Sequence, residues 1–215
     1  MFGIDGKFYE IVSAIADLVI LNLLFVLCSL PIFTIGASTT ALFGVTKKMA
    51  DNREGYIVRT YFKLFKENFK QSTAMWLILL MLSIIPTLDL YIVNSLKEGI
   101  VVTALKGLFL GFALAILFVF LYAMALQSTF ENTIKITLKN ALLMGIGHFP
   151  WTLLILCITL LPVILIIFLG KDAVSIIYIM LFAGFALLAY LNSYILNFIF
   201  KKYIKLALKK STFFI

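Results

Sequence analysis

A chain of 215 residues with 63% hydrophobic side chains, 13% charged side chains and a mean hydropathy of +1.12 has too little polar surface to enclose a water-soluble globule of its size. The formal net charge of +8 does not point to nucleic acid, because the basic residues lie between and after long apolar stretches, where anionic lipid headgroups are the nearer partner. Composition therefore predicts an all-α, polytopic membrane protein.

The chain opens with Asp5, Lys7 and Glu10, a net negative segment unlike the positive start of a cleavable secretion signal, so the first apolar run is expected to be a span. Apolar runs of about 20 residues, the length that crosses a bilayer as a helix, place five spans at 11–33, 74–93, 100–126, 143–169 and 174–200 of a single membrane domain. Span 1 ends in Leu30-Pro31-Ile32-Phe33-Thr34-Ile35-Gly36-Ala37-Ser38-Thr39-Thr40. Pro31 and Gly36 should break the helix there, and the small residues that follow let a neighbouring helix approach closely. Two readings of the break stand: a helix stop followed by a second helix to about Ala50, or a discontinuity lining a ligand site.

Residues 59–72 alternate aromatic and basic side chains. On a helix Phe62, Phe65 and Phe69 share one side with Tyr61 beside them, and Lys63, Lys66 and Lys70 fall on the other. This predicts an interfacial amphipathic helix anchored in the headgroup layer, with Trp76 marking the start of span 2. Trp76 and Pro86 in span 2 are echoed by Trp151 and Pro162 in span 4, the pattern of two hairpins in one orientation.

Fourteen of the eighteen basic residues fall after span 1, after span 3 and in the tail at 201–215. The positive-inside rule then puts the N-terminus outside and the C-terminus inside, as an odd number of spans requires.

Ionisable residues within spans are the sharpest functional pointers, since charge at membrane depth is costly without a partner. Asp17, Asp89 and Lys106 qualify. Asp89 and Lys106 flank the turn between spans 2 and 3 at similar distance, which predicts an ion pair with Asp17 close by. It reads either as a packing clamp and interfacial snorkelling, or as an ion or proton site. A second polar set, Tyr190, Tyr194 and Asn197, shares one face of span 5 and is a candidate inward pocket. His148, beside Phe149-Pro150-Trp151, reads as interfacial. Cys28 and Cys157 lie within apolar runs, with no metal-ligand spacing and no disulfide framework. No catalytic motif, metal site or cofactor loop is present in the sequence, and no enzyme activity is expected.

The run from Leu21-Asn22-Leu23 through Cys28-Ser29-Leu30-Pro31 to Thr34-Ile35-Gly36-Ala37-Ser38-Thr39 resembles the N-terminal signature of the YesL-like bacterial membrane proteins, as do Gly55-Tyr56-Ile57, Phe65 to Gln71 and Leu138 to Ala141. The resemblance is strongest from Asn22 to Gln71. It implies a multi-pass protein of the bacterial plasma membrane without accepted catalytic residues, associated with carbohydrate ABC importers and two-component regulators. An accessory role in carbohydrate uptake, through an ABC sugar permease or a sensor kinase, is the expectation this supports. The alternative is a small secondary transporter with a polar site near Asp17, Asp89 and Lys106.

Overall fold

A computed structural model describes residues 4–51 and 56–211, and the described residues are helical with no strand. The helices are α1 (Ile4–Ser29), α2 (Ile35–Ala50), α3 (Ile57–Asn94), α4 (Ile100–Gln127), α5 (Ile134–Gly147), α6 (Phe149–Leu169), α7 (Val174–Ile179) and α8 (Phe185–Ser211). A π-helical turn, Met180–Gly184, joins α7 to α8 and makes them one span. Five helices are long and apolar enough to cross a membrane: α1, α3, α4, α6 and the α7–α8 unit.

The first span stops at Ser29, four residues before the expected end, because the break begins at Leu30. A short 3-10 turn, Ile32–Thr34, separates it from α2, which ends at Ala50 as the helix-stop reading expects. Backbone groups freed at such a break need partners wherever water is scarce. Thr34 Oγ1 donates to Cys28 O at 2.5 Å and Pro31 O at 2.7 Å, Ser38 Oγ donates to Phe25 O at 3.1 Å, and Trp76 Nε1 donates to Ile32 O at 2.8 Å. Trp76, expected as a headgroup anchor, thus pins the break.

α2 is buried from Gly36 to Lys47, enclosed by α1, α3, α4 and α8. Glycines explain how a helix so short on large side chains packs there. A Cβ on Gly36 would collide with Ser72 O and approach Trp76 Cβ to 2.6 Å, and one on Gly44 would meet Leu64 Cδ1 at 2.5 Å. These contacts run down α2 as they run up α3, so the two helices are antiparallel and nearly touch backbone to backbone. Hydroxyl pairs seal the interior: Ser38 with Tyr61 at 2.6 Å, Thr40 with Ser72 at 2.8 Å and Thr46 with Ser193 at 2.8 Å.

Two boundaries differ from expectation. Residues 59–72, expected as an interfacial helix ahead of span 2, are helical but continuous with it: they are the first part of α3, which runs for 38 residues without interruption. Nothing between Ser72 and Ala74 breaks a helix, and Tyr61 is fully buried against α2 rather than facing lipid. Phe65 and Phe69 are half-buried with rings 5.5 Å apart, while Phe62, Lys63, Lys66 and Lys70 are exposed. The expected span at 143–169 is likewise two helices, because the backbone turns at His148 (φ −119°, ψ 41°) ahead of Pro150, and the apolar residues before it belong to α5.

The two later hairpins share a packing device. Trp76 lies against Phe120 of α4 with ring centroids 5.1 Å apart, and Trp151 against Phe198 of α8 at 5.3 Å, at similar tilts of 56° and 51°. Pro86 and Pro162 are both buried inside their helices. The Trp–Pro echo in the sequence is therefore an echo in packing as well.

Candidate functional site

The C-terminal ends of α2 and α4 meet the middle of α8, and there the structure buries a charge. Lys47 is 6% exposed, in the last turn of α2. Its ammonium donates to Ala125 O at 2.6 Å and to Thr129 Oγ1, both at the end of α4, where carbonyls lack helical partners. The Phe200 ring of α8 lies 5.1 Å from Nζ, within cation–π range. Asn197 Nδ2 donates to the Lys47 carbonyl at 2.9 Å, which ties α8 to the same turn. One turn further on, Asp51 pairs with Lys201 of α8 at 2.8 Å. Burial is the dominant influence on Lys47 and pulls its pKa from the ordinary 10.5 down to about 7, against a smaller opposing pull from Asp51. α2, with 16 residues, is not among the five helices long and apolar enough to cross a membrane. A cavity of about 410 Å3 opens beside it.

Around the N-terminal part of α3 lies a second, larger recess of about 1280 Å3, formed by residues 63–71 and the α4–α5 connection at 127–133. Gln127 Nε2 donates to Gln71 Oε1 at 2.6 Å and Asn68 Oδ1 at 3.1 Å, holding the two walls together. Lys63, Lys66 and Lys70 crown one wall with Glu67 among them, and Glu131 belongs to the other.

A third polar centre is Asn22 of α1, fully buried. Its amide donates to Met180 O at 3.1 Å and Leu181 O at 2.7 Å and accepts from Ala186 N–H at 2.9 Å. Those are the backbone groups that a π turn leaves without their usual partners, so Asn22 completes the turn from outside.

The sequence candidates are distributed differently from expectation. The Asp89–Lys106 pair does not form: Lys106 Nζ bonds Glu98 Oε1 at 2.7 Å, because the carboxylate in the turn is nearer in sequence and mostly exposed. Asp17 and Asp89 are each partly buried on α1 and α3. Tyr190 and Tyr194 bond each other through their hydroxyls at 2.6 Å, and Tyr194 is 50% exposed, so they part from Asn197, which belongs to the Lys47 cluster. Lys47, Asp51, Phe200 and Lys201 form a site that the sequence reading passes over. The one signal available was a lysine followed four residues later by aspartate at the end of an apolar helix.

Residues 18–90, from the end of α1 through the break, α2 and most of α3, match the family described as "Protein of unknown function, DUF624". The chain is 26% identical over 174 residues to the uncharacterized protein YesL of Bacillus subtilis (strain 168), covering 77% of this chain and 81% of that protein. No solved structure matches. The matched region carries Asn22, the Pro31 break and Lys47 together, and the chain is similar to YesL over most of its length, with five helices long and apolar enough for a multi-pass membrane protein.

Proposed function

We propose that the protein is a non-enzymatic accessory subunit of the bacterial plasma membrane that holds a membrane partner through its basic end. The observation that carries this reading is the length of α3. At 1.5 Å per residue its 38 residues extend about 57 Å, whereas the hydrocarbon core needs about 30 Å. The surplus lies at the N-terminal end, with Lys63, Lys66 and Lys70, and walls the recess of about 1280 Å3. A membrane protein that builds a structured, cationic ledge beyond its spans has a surface suited to a partner's acidic cytoplasmic segment. The positive-inside rule puts this end in the cytoplasm and, with five spans, the N-terminus outside. The family resemblance supplies the class of partner, a carbohydrate ABC permease or a sensor kinase; that assignment rests on analogy. The transporter alternative loses support, because Lys106 is taken by Glu98 rather than joined to Asp89.

Purification of the protein from its native membrane in mild detergent, with mass spectrometry of what accompanies it, tests the reading. A permease or kinase at near-stoichiometric yield is expected, lost in the combined variant Lys63→Glu, Lys66→Glu, Lys70→Glu while the protein still inserts and folds. A solitary protein that moves a solute in liposomes would overturn it.

A further inference from the structure

The smaller cavity beside Lys47 shares only Ser128 and Thr129 with the recess of the proposed docking surface. Among the described residues its charged lining is lopsided: Lys47, Lys48 and Lys201 against the single carboxylate of Asp51. Gly44, Phe200 and Ile204 add an apolar side. Lys47 has two protein acceptors, Ala125 O and Thr129 Oγ1, and an ammonium has three N–H donors, so one donor remains for a ligand. The volume of about 410 Å3 lies in the range of small-molecule sites.

The geometry points to a binding site for a small phosphate ester, with the phosphate among Lys47, Lys48 and Lys201 and its organic stem against Phe200 and Ile204. Two lysines from α2 and one from α8 converge on it, which surface lysines scattered along one helix would not do. Asp51 acts as the resident competitor. Its 2.8 Å bond to Lys201 occupies the cation that an incoming phosphate would use, so binding exchanges the carboxylate for the anionic oxygens of the phosphate. The same chemistry is offered by the headgroup of an anionic phospholipid and by a free phosphorylated metabolite, and both reach this end of the bundle.

The test uses the full protein in phosphatidylcholine nanodiscs. Glycerol 1-phosphate is titrated by calorimetry, and in parallel nanodiscs containing phosphatidylglycerol are examined by native mass spectrometry for retained lipid. Lys48 and Lys201 are exposed, so Lys48→Gln and Lys201→Gln fold even where a change at Lys47 does not. Each is expected to weaken binding about tenfold, the loss of one charge-assisted hydrogen bond. Asp51→Asn is expected to strengthen binding a few-fold by releasing Lys201, and Lys63→Gln, outside the cavity, to leave it unchanged. Retention of phosphatidylglycerol alone assigns the site to lipid, and a calorimetric signal alone assigns it to a soluble ester. No binding of either probe overturns the proposal. So does an equal loss in Lys63→Gln, which would mean diffuse attraction to a basic surface, or a failure of Asp51→Asn to strengthen binding.

Discussion

At the scale of single residues, Lys47 is the most consequential feature of the chain. The unfolded chain holds this proton up to about pH 10.5, while the folded protein releases it near pH 7, so between those limits the unfolded state binds more protons and stability rises with pH. Below pH 7 both states are protonated and the net cost of holding the charge in the folded protein is present in full, on the order of 5 kcal/mol. Thermal unfolding in detergent is therefore expected to shift upward by several degrees between about pH 7 and pH 9, and Lys47→Met to flatten that slope. A flat wild-type profile would show that the ammonium is solvated in the folded protein. Asn22 makes the complementary case, a buried polar side chain whose capacity is met by three backbone groups. Asn22→Leu keeps the branching at Cγ but strands the Ala186 N–H and two carbonyls, and a loss of about 2–3 kcal/mol in unfolding free energy is expected. Neither residue stood out in the sequence. A lysine after an apolar run reads as a surface charge, and only the enclosure of α2 by four other helices buries it. A π turn has no compositional signature, so nothing marked Asn22 as its partner.

Helices and their breaks were the more legible scale, because the evidence for them is local. Pro31 with Gly36 predicts a break, and the small residues from Gly36 onward predict close approach. Both follow from side-chain size and backbone chemistry within a dozen residues. What stayed hidden was continuity. Hydropathy separates the basic part of α3 from its apolar part, yet a helix has no reason to end where polarity changes, and α3 runs through. The reverse error occurred at His148, where hydropathy is continuous and the backbone turns. Close approach makes a sharp prediction at this scale. Gly36→Val places branched carbons where Ser72 O and Trp76 Cβ stand, and neither can withdraw without moving α3. A destabilisation of about 2–3 kcal/mol is expected, as for other overpacked cores, with the melting temperature in detergent as the readout. Gly107→Val, where a Cβ meets nothing within 4 Å, should leave that temperature unchanged and serves as the control. If both variants melt alike, α2 and α3 are not in backbone contact.

For the whole molecule, the decisive question is which side of the membrane the basic end faces, since both the docking ledge and the lysine cavity lie there. Contacts that join the ends of α2 and α4 to each other and to the middle of α8, and the Gln127 bonds to Asn68 and Gln71, bring Lys47, Lys63, Lys66, Lys70 and Lys201 to a single end without reference to any membrane. The turn from Ser95 to Gly99 is at the other end of the α3–α4 hairpin, carrying Lys97 and the Glu98–Lys106 pair. Lysine and arginine resist translocation, so the end with the larger basic count should stay in the cytoplasm. In a background with Cys28 and Cys157 replaced by alanine, Ser95→Cys should react with a membrane-impermeant maleimide added to intact cells, and Lys63→Cys only after the cells are opened. Both positions are exposed, so accessibility in the folded protein does not confound the comparison. The reverse pattern would place the ledge outside, where a cytoplasmic kinase domain cannot reach it, and would remove the topological basis for the accessory role while leaving the phosphate site open to extracellular esters.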